Sequence, residues 1–289
     1  MPGDWSARAL DHVARRATGA ALDRGHRVTL NFHPDRVSRG ATVLEHLAKD
    51  GCYRSQFETG TSNGGLTARP GGDRWTWEQR IFGHAYDDAP VAERPKYGAL
   101  NHRQRRIGAA PRFGSAHLRL AEHVLDRTTF CFPDSVFDPD DYGTARRFAL
   151  VPLADAFADR ARTDEVEALE GGVLDDYIEA HVHGTVDLAA DVEALVLDPC
   201  FRDSDIEVQA RALDVPVEWH EGRRLLVDVL SQHSEFRGPR IVEVGLRVAQ
   251  DGVLDAATIG RAALADDEDP QDLKKVWHHV ARFGSPVEH

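Results

Sequence analysis

The stretch Tyr177-Ile178-Glu179-Ala180-His181-Val182-His183-Gly184 constrains this chain more than any other. Its period of two spells a strand: Ile178, Ala180 and Val182 fall on one face, and Tyr177, Glu179, His181 and His183 on the other. The apolar face requires a core. The opposite face collects a carboxylate and two imidazoles, which are costly to bury unless they line a site. Two readings follow: an edge strand with a wet polar face, or the floor of a functional cleft. Gly184-Thr185 permits a turn, after which residues 192–197 read as a second strand.

Around this strand, helical and extended patterns alternate without repeating. Residues 5–22 are an amphipathic helix, and 27–33 a β-branched, apolar strand that ends at Pro34, which has no N–H to give a ladder. A short helix at 41–49 and a weak strand at 53–59 follow. Residues 66–112 are rich in Gly, Pro and Arg and read as ordered loop, with a helical turn at 75–82. Strands are expected at 113–120 and 127–132, and a helix at 153–171. Beyond Pro199 come a helix at 205–213, a strand at 215–219 and helices at 241–249 and 256–264. The last helix has a full start signal, with Asp269 to cap it and Pro270 at its first position, and Gly284 ends it. This mixture predicts an α+β fold in three parts: an N-terminal helix over 1–25, a core over 26–200 and a C-terminal α/β extension over 201–289.

The formal charge of -13 over 289 residues argues against a nucleic-acid partner, which calls for a basic face. No apolar run approaches the roughly 18 residues of a membrane helix, and no signal-peptide core is present. The expected location is therefore the cytoplasm, or outside the cell by a route without a cleavable signal. Cys52, Cys131 and Cys200 are odd in number and widely spaced, which suggests neither a disulfide framework nor a zinc ribbon.

Three groups of residues carry chemistry. Gly60-Thr61-Ser62-Asn63-Gly64 matches the G-x-S-x-G of a nucleophile elbow, but Gly65, Pro70, Gly71 and Gly72 preclude the helix that must follow. It reads better as a Gly-rich loop offering hydroxyls and N–H groups to a polar ligand. His181-x-His183 has metal-ligand spacing on a strand, and Asp35 and Glu179 are available to complete such a site. Among 15 histidines, one such pair also arises without function. Asp35 and Glu179, each at or near a strand end, suit the stabilisation of a cationic transition state, while a turn cap is the plainer reading of Asp35.

Several segments together resemble a known family: residues 30–36, 56–65, 95–101, 177–184 and 269–284. They resemble a bacterial family long catalogued as a domain of unknown function and similar to CteC-like effectors, which transfer ADP-ribose from NAD to a threonine of ubiquitin. The resemblance implies a split mixed sheet with NAD bound in its cleft as co-substrate, and a protein acceptor, with ubiquitin as the family's example. It implies a catalytic pair of glutamate and aspartate, which match Glu179 and Asp35. It also places His33 and Arg36 at the NAD, and Thr61, Ser62, Asn63 and Gly64 where the related families keep a serine-threonine-serine motif. Tyr97 is then available to stack on a ring, or to serve as a core tyrosine. Two rivals stand beside this reading: a metal-dependent hydrolase using His181, His183, Asp35 and Glu179, and a non-catalytic module that binds NAD or a protein.

Overall fold

The computed structural model describes residues 4–60, 68–162 and 172–287. Its centre is one large mixed sheet of eight strands, numbered in chain order: β1 (Val28–Phe32), β2 (Lys96–Leu100), β3 (Ala116–Leu120), β4 (Thr128–Phe132), β5 (Asp141–Thr144), β6 (Ile178–Val182), β7 (Val192–Leu197) and β8 (Val217–Trp219). Across the sheet they run β8-β7-β3-β1-β2-β6-β4-β5. Only β7 and β8 are parallel; the other neighbours are antiparallel. With its flanking helices the molecule is α+β.

The alternating stretch is β6, and it is not an edge. It pairs along its length with β2 on one side and β4 on the other, and all five of its residues are buried. The wet-edge reading fails because both faces of β6 are covered. Ile178, Ala180 and Val182 enter the main core with Leu30, Leu118, Phe130 and Leu195. Helix Asp73–Phe82 lies near the other face, where the ring of Phe82 meets His181 and His183 edge-on at 5.2 Å each.

Ladder lengths show where the sheet opens. β2 and β6 share five residue pairs and β1 and β3 share four, but β1 and β2 share only Val28 with Leu100 and Thr29 with Ala99. Beyond that point the strands part. Gly98 sits at the parting, and a Cβ there would meet Leu30 Cδ2 at 2.5 Å and the Thr29 carbonyl oxygen at 2.6 Å.

Sequence expectation and structure differ in several places: the N-terminal helix ends at Arg16 rather than at residue 22, and Val227–Gln232 is a helix where none is expected. β2 lies in a stretch read as loop. β5 was not expected as a strand. Residues 53–59 are not a strand beyond Tyr53: Ser55 and Glu58 form a reciprocal capping box that starts a helical turn at Gln56–Thr59. The C-terminal helix, Pro270–Phe283, is as expected, with the Asp269 carboxylate accepting from the Gln271 and Asp272 N–H groups. Its Trp277 is fully buried and donates to the Pro111 carbonyl at 2.8 Å. Leu225, Leu230, Val244 and Trp277 share one apolar cluster with the sheet, so the C-terminal segment packs on the same core. Among the described residues no helix is long and apolar enough to cross a membrane.

Candidate active site

Where β1 and β2 part, a cleft of about 770 Å³ opens, within the range of small-molecule sites. Its walls come from β1 and the residues after it (Asn31, Phe32, His33, Arg36), from β2 (Tyr97, Gly98), from helix Asp73–Phe82 (Arg74, Trp77) and from the C-terminal helix (Gln271, Lys274). Glu179 lines it from β6, and Asp134, Val136 and Phe137 from the turn after β4. Among the described residues seven Lys and Arg side chains line the cleft (Arg36, Arg39, Lys49, Arg54, Arg74, Arg112, Lys274) against three carboxylates (Asp50, Asp134, Glu179). In a chain of net charge -13 this is a local reversal of sign, and a cleft lined by one sign concentrates ligands of the other.

Glu179 is only 4% exposed. Burial opposes its ionisation, but the hydrogen bond from His181 Nε2 at 2.7 Å and the nearby charge of Arg74 prevail, so its carboxyl is held below the ordinary range. Asp134 is shifted the other way. Burial, with the charge of Glu179 added, pushes it up to about 7, against the pull of the Val136 N–H and of Arg74 and Arg112. Its Oδ2 accepts from the Tyr177 hydroxyl. Two acids in one cleft thus have their affinities for a proton driven apart, the arrangement that separates an ionised stabiliser from a group able to exchange protons near neutrality.

Of the residues singled out in sequence, Glu179, His33, Arg36 and Tyr97 line this cleft together. The His33 ring packs edge-on against Trp277 at 5.0 Å, and burial, with the Arg36 charge, lowers its pKa to about 3, leaving it neutral. Tyr97 is fixed rather than free to swing. Its hydroxyl donates to Glu78 at 3.0 Å, and Arg74 covers its ring at 4.1 Å. Asp35 is not among the cleft's lining. It is directed at Gly260 in helix Ala256–Ala265, beside Arg261 and Asp255. The chain turns after Pro34, so the carboxylate at this strand tip leaves the face on which Glu179 lies. Thr61, Ser62, Asn63 and Gly64 fall outside the described residues.

His181 and His183 converge on a side-chain hydroxyl rather than on Asp35 and Glu179 together. The Thr129 hydroxyl lies between them, 3.2 Å from His181 Nδ1 and 2.9 Å from His183 Nε2. The described group with metal-like spacing is instead Cys131, Glu179 and His181, whose donor atoms lie within 4.8 Å of one another. These atoms also satisfy one another by hydrogen bonding. Burial and the charges of Glu179 and Asp134 raise the Cys131 thiol well above its ordinary range, which keeps it an S–H rather than a thiolate.

Asp134, Arg74 and Lys274 escaped the sequence reading. A signal for Asp134 was present: Phe132-Pro133-Asp134 repeats the strand-Pro-Asp order of Phe32-His33-Pro34-Asp35. What separates the two is register. Cys131 pairs with Glu179 across β4 and β6, which carries the next turn to the Glu179 side chain. None of the curated proteins matches this chain. A family model described as a protein of unknown function, DUF3626, matches residues 27–158 and 150–283, so the chain belongs to the DUF3626 family.

Proposed function

We propose that the protein is an NAD-dependent mono-ADP-ribosyltransferase that modifies a hydroxyl of a protein acceptor. The observation that carries the reading is the pair Glu179 and Asp134, one acid held ionised and the other poised near 7, on the floor of a cation-lined cleft. The short β1–β2 ladder supports the split-sheet architecture that goes with this activity. Asp134 here takes the place that the sequence resemblance assigned to Asp35.

The chemistry follows from the groups present. Cleavage of the bond between nicotinamide nitrogen and ribose C1′ leaves positive charge on the sugar, while neutral nicotinamide departs with the electron pair. The Glu179 carboxylate stabilises that charge and accepts from the ribose 2′-hydroxyl. As the acceptor oxygen bonds to C1′, its proton passes to Asp134, whose affinity near neutrality suits a general base. Arg36, Arg112 and Lys274 offer positive charge to the diphosphate. A threonine hydroxyl, with ubiquitin as the first acceptor to try, follows from the sequence resemblance.

The test is incubation with NAD labelled in the adenosine half, an acceptor panel that includes ubiquitin, and assay of free nicotinamide. Labelled acceptor with matching nicotinamide release is expected. NAD binding without release would favour a non-catalytic module, and a stoichiometric divalent ion in the purified protein would favour metal chemistry at Cys131, Glu179 and His181.

A further inference from the structure

A file of buried groups runs from Glu179 away from the cleft. His181 Nε2 lies 2.7 Å from Glu179 Oε1, and His181 Nδ1 lies 3.2 Å from the Thr129 hydroxyl. The same hydroxyl is 2.9 Å from His183 Nε2, and His183 Nδ1 is 2.6 Å from the Tyr86 hydroxyl. Ser6, on the N-terminal helix Asp4–Arg16, stands 3.4 Å beyond. No member from Tyr86 to Glu179 is more than 4% exposed. The file exists because β6 puts residues 179, 181 and 183 on one face, and β4 sets Thr129 opposite His181.

The number of protons available fixes the direction of every bond. An ionised Glu179 only accepts, so His181 Nε2 carries a hydrogen. With one hydrogen on its ring, His181 accepts at Nδ1, and the single Thr129 proton then points there. Thr129 can accept only from His183 Nε2–H, which leaves His183 Nδ1 to accept from Tyr86. Each group donates once, and always toward the cleft. Burial, with the positive neighbours Arg127 and Lys96, holds His183 neutral. Charged or titratable groups facing Glu179 are Arg74 from helix Asp73–Phe82, Tyr97 from β2, and Cys131 and Asp134 from β4 and its turn.

We propose that Tyr86, His183, Thr129 and His181 are positioning residues: a one-way hydrogen-bond file that holds and orients the Glu179 carboxylate through Oε1. A proton added at His181 would reverse every bond back to Tyr86, so the file also resists protonation at the Glu179 end. The assignment of tautomers stands on these distances with Glu179 ionised and one hydrogen on each imidazole, and needs no substrate; its consequence for rate rests on the transferase reading above.

The test compares Thr129→Val, which keeps the shape and removes the hydroxyl, with Thr129→Ser, which keeps the hydroxyl. Nitrogen-15 NMR of the intact, histidine-labelled protein at neutral pH reads the tautomers with no substrate present. His181 and His183 are expected as neutral Nε2–H forms in the wild type and in Thr129→Ser, and that pattern is expected to be lost in Thr129→Val. His183 found as the Nδ1–H form or as imidazolium in the wild type, or a Thr129→Val spectrum matching wild type, would overturn the proposal. In nicotinamide release, Thr129→Val is expected to lose roughly ten- to hundredfold in kcat, with KM for NAD little changed and the lower acid limb of the pH profile, set by Glu179 and lying below the limb set by Asp134, moved upward. Thr129→Ser is expected to restore both. A merely structural role would lower the melting temperature without moving that limb. Absence of nicotinamide release in the wild type would count against the transferase reading while leaving the NMR result to judge the file.

Discussion

Two carboxylates on one cleft floor, with opposite shifts, make different demands on substitution. Glu179→Gln keeps the shape and removes the charge, and nicotinamide release should fall by about 10²–10³-fold. The fold should be retained at a lower melting temperature near neutral pH, because a carboxyl held below its ordinary range stabilises the folded protein there. Asp134→Asn should act on the pH profile. Asp134 serves as a base only when ionised, so wild-type turnover should decline as pH falls through about 7, and the variant should lose that limb along with most of its transfer. Steady-state rates between pH 5 and 9 check both. Glu179 was readable in the sequence because strict alternation puts a carboxylate opposite a core face. Asp134 was not, because Asp35 and Asp134 share the same local signature, and only the pairing of β4 with β6 decides which of them reaches the cleft.

The strands around the cleft carry their own predictions. Gly98 lies where β1 and β2 separate, and the atoms a methyl group would meet there include the Thr29 carbonyl, which belongs to backbone and cannot swing aside. Gly98→Ala should therefore destabilise the protein by about 1–3 kcal/mol, measurable in a denaturant titration. The same glycine explains why β2 was hidden from the sequence reading: Lys96-Tyr97-Gly98-Ala99-Leu100 has neither an apolar run nor β-branched residues, and it is a strand because β1 and β6 flank it. The helices were easier to read, since Asp269 and Pro270 announce a start by local chemistry alone. Asp35 tests the reassignment directly. Burial raises its carboxyl to about 7, so its contribution to stability is present below the ordinary carboxyl range and is lost as pH rises toward 7. Asp35→Asn should gain in melting temperature relative to wild type between pH 5 and pH 8, with NAD turnover unchanged; a severe loss of turnover would return Asp35 to the site.

At the scale of the whole molecule, an acidic protein concentrates positive charge in one cleft, and part of that charge comes from the far end of the chain. Lys274 reaches the cleft because Trp277, three residues on, anchors the C-terminal helix in the shared core. Burial, with the charges of Arg112, Arg237 and Arg36, lowers the Lys274 ammonium to about 8. Binding of an anionic ligand should therefore weaken as pH rises through 8, and Lys274→Ala should remove that dependence, as read by calorimetric titration with NAD. Added salt should weaken binding in both proteins, since part of the attraction acts over distances that ions screen. The most direct measurement is a structure of the protein with a hydrolysis-resistant NAD analogue. The expected result is an analogue in the cleft between β1 and β2, with its nicotinamide-ribose 2′-hydroxyl at hydrogen-bond distance, about 2.6–3.2 Å, from Glu179 and its diphosphate against Arg112 and Lys274. An empty cleft at millimolar analogue, or a ribose turned away from Glu179, would contradict it.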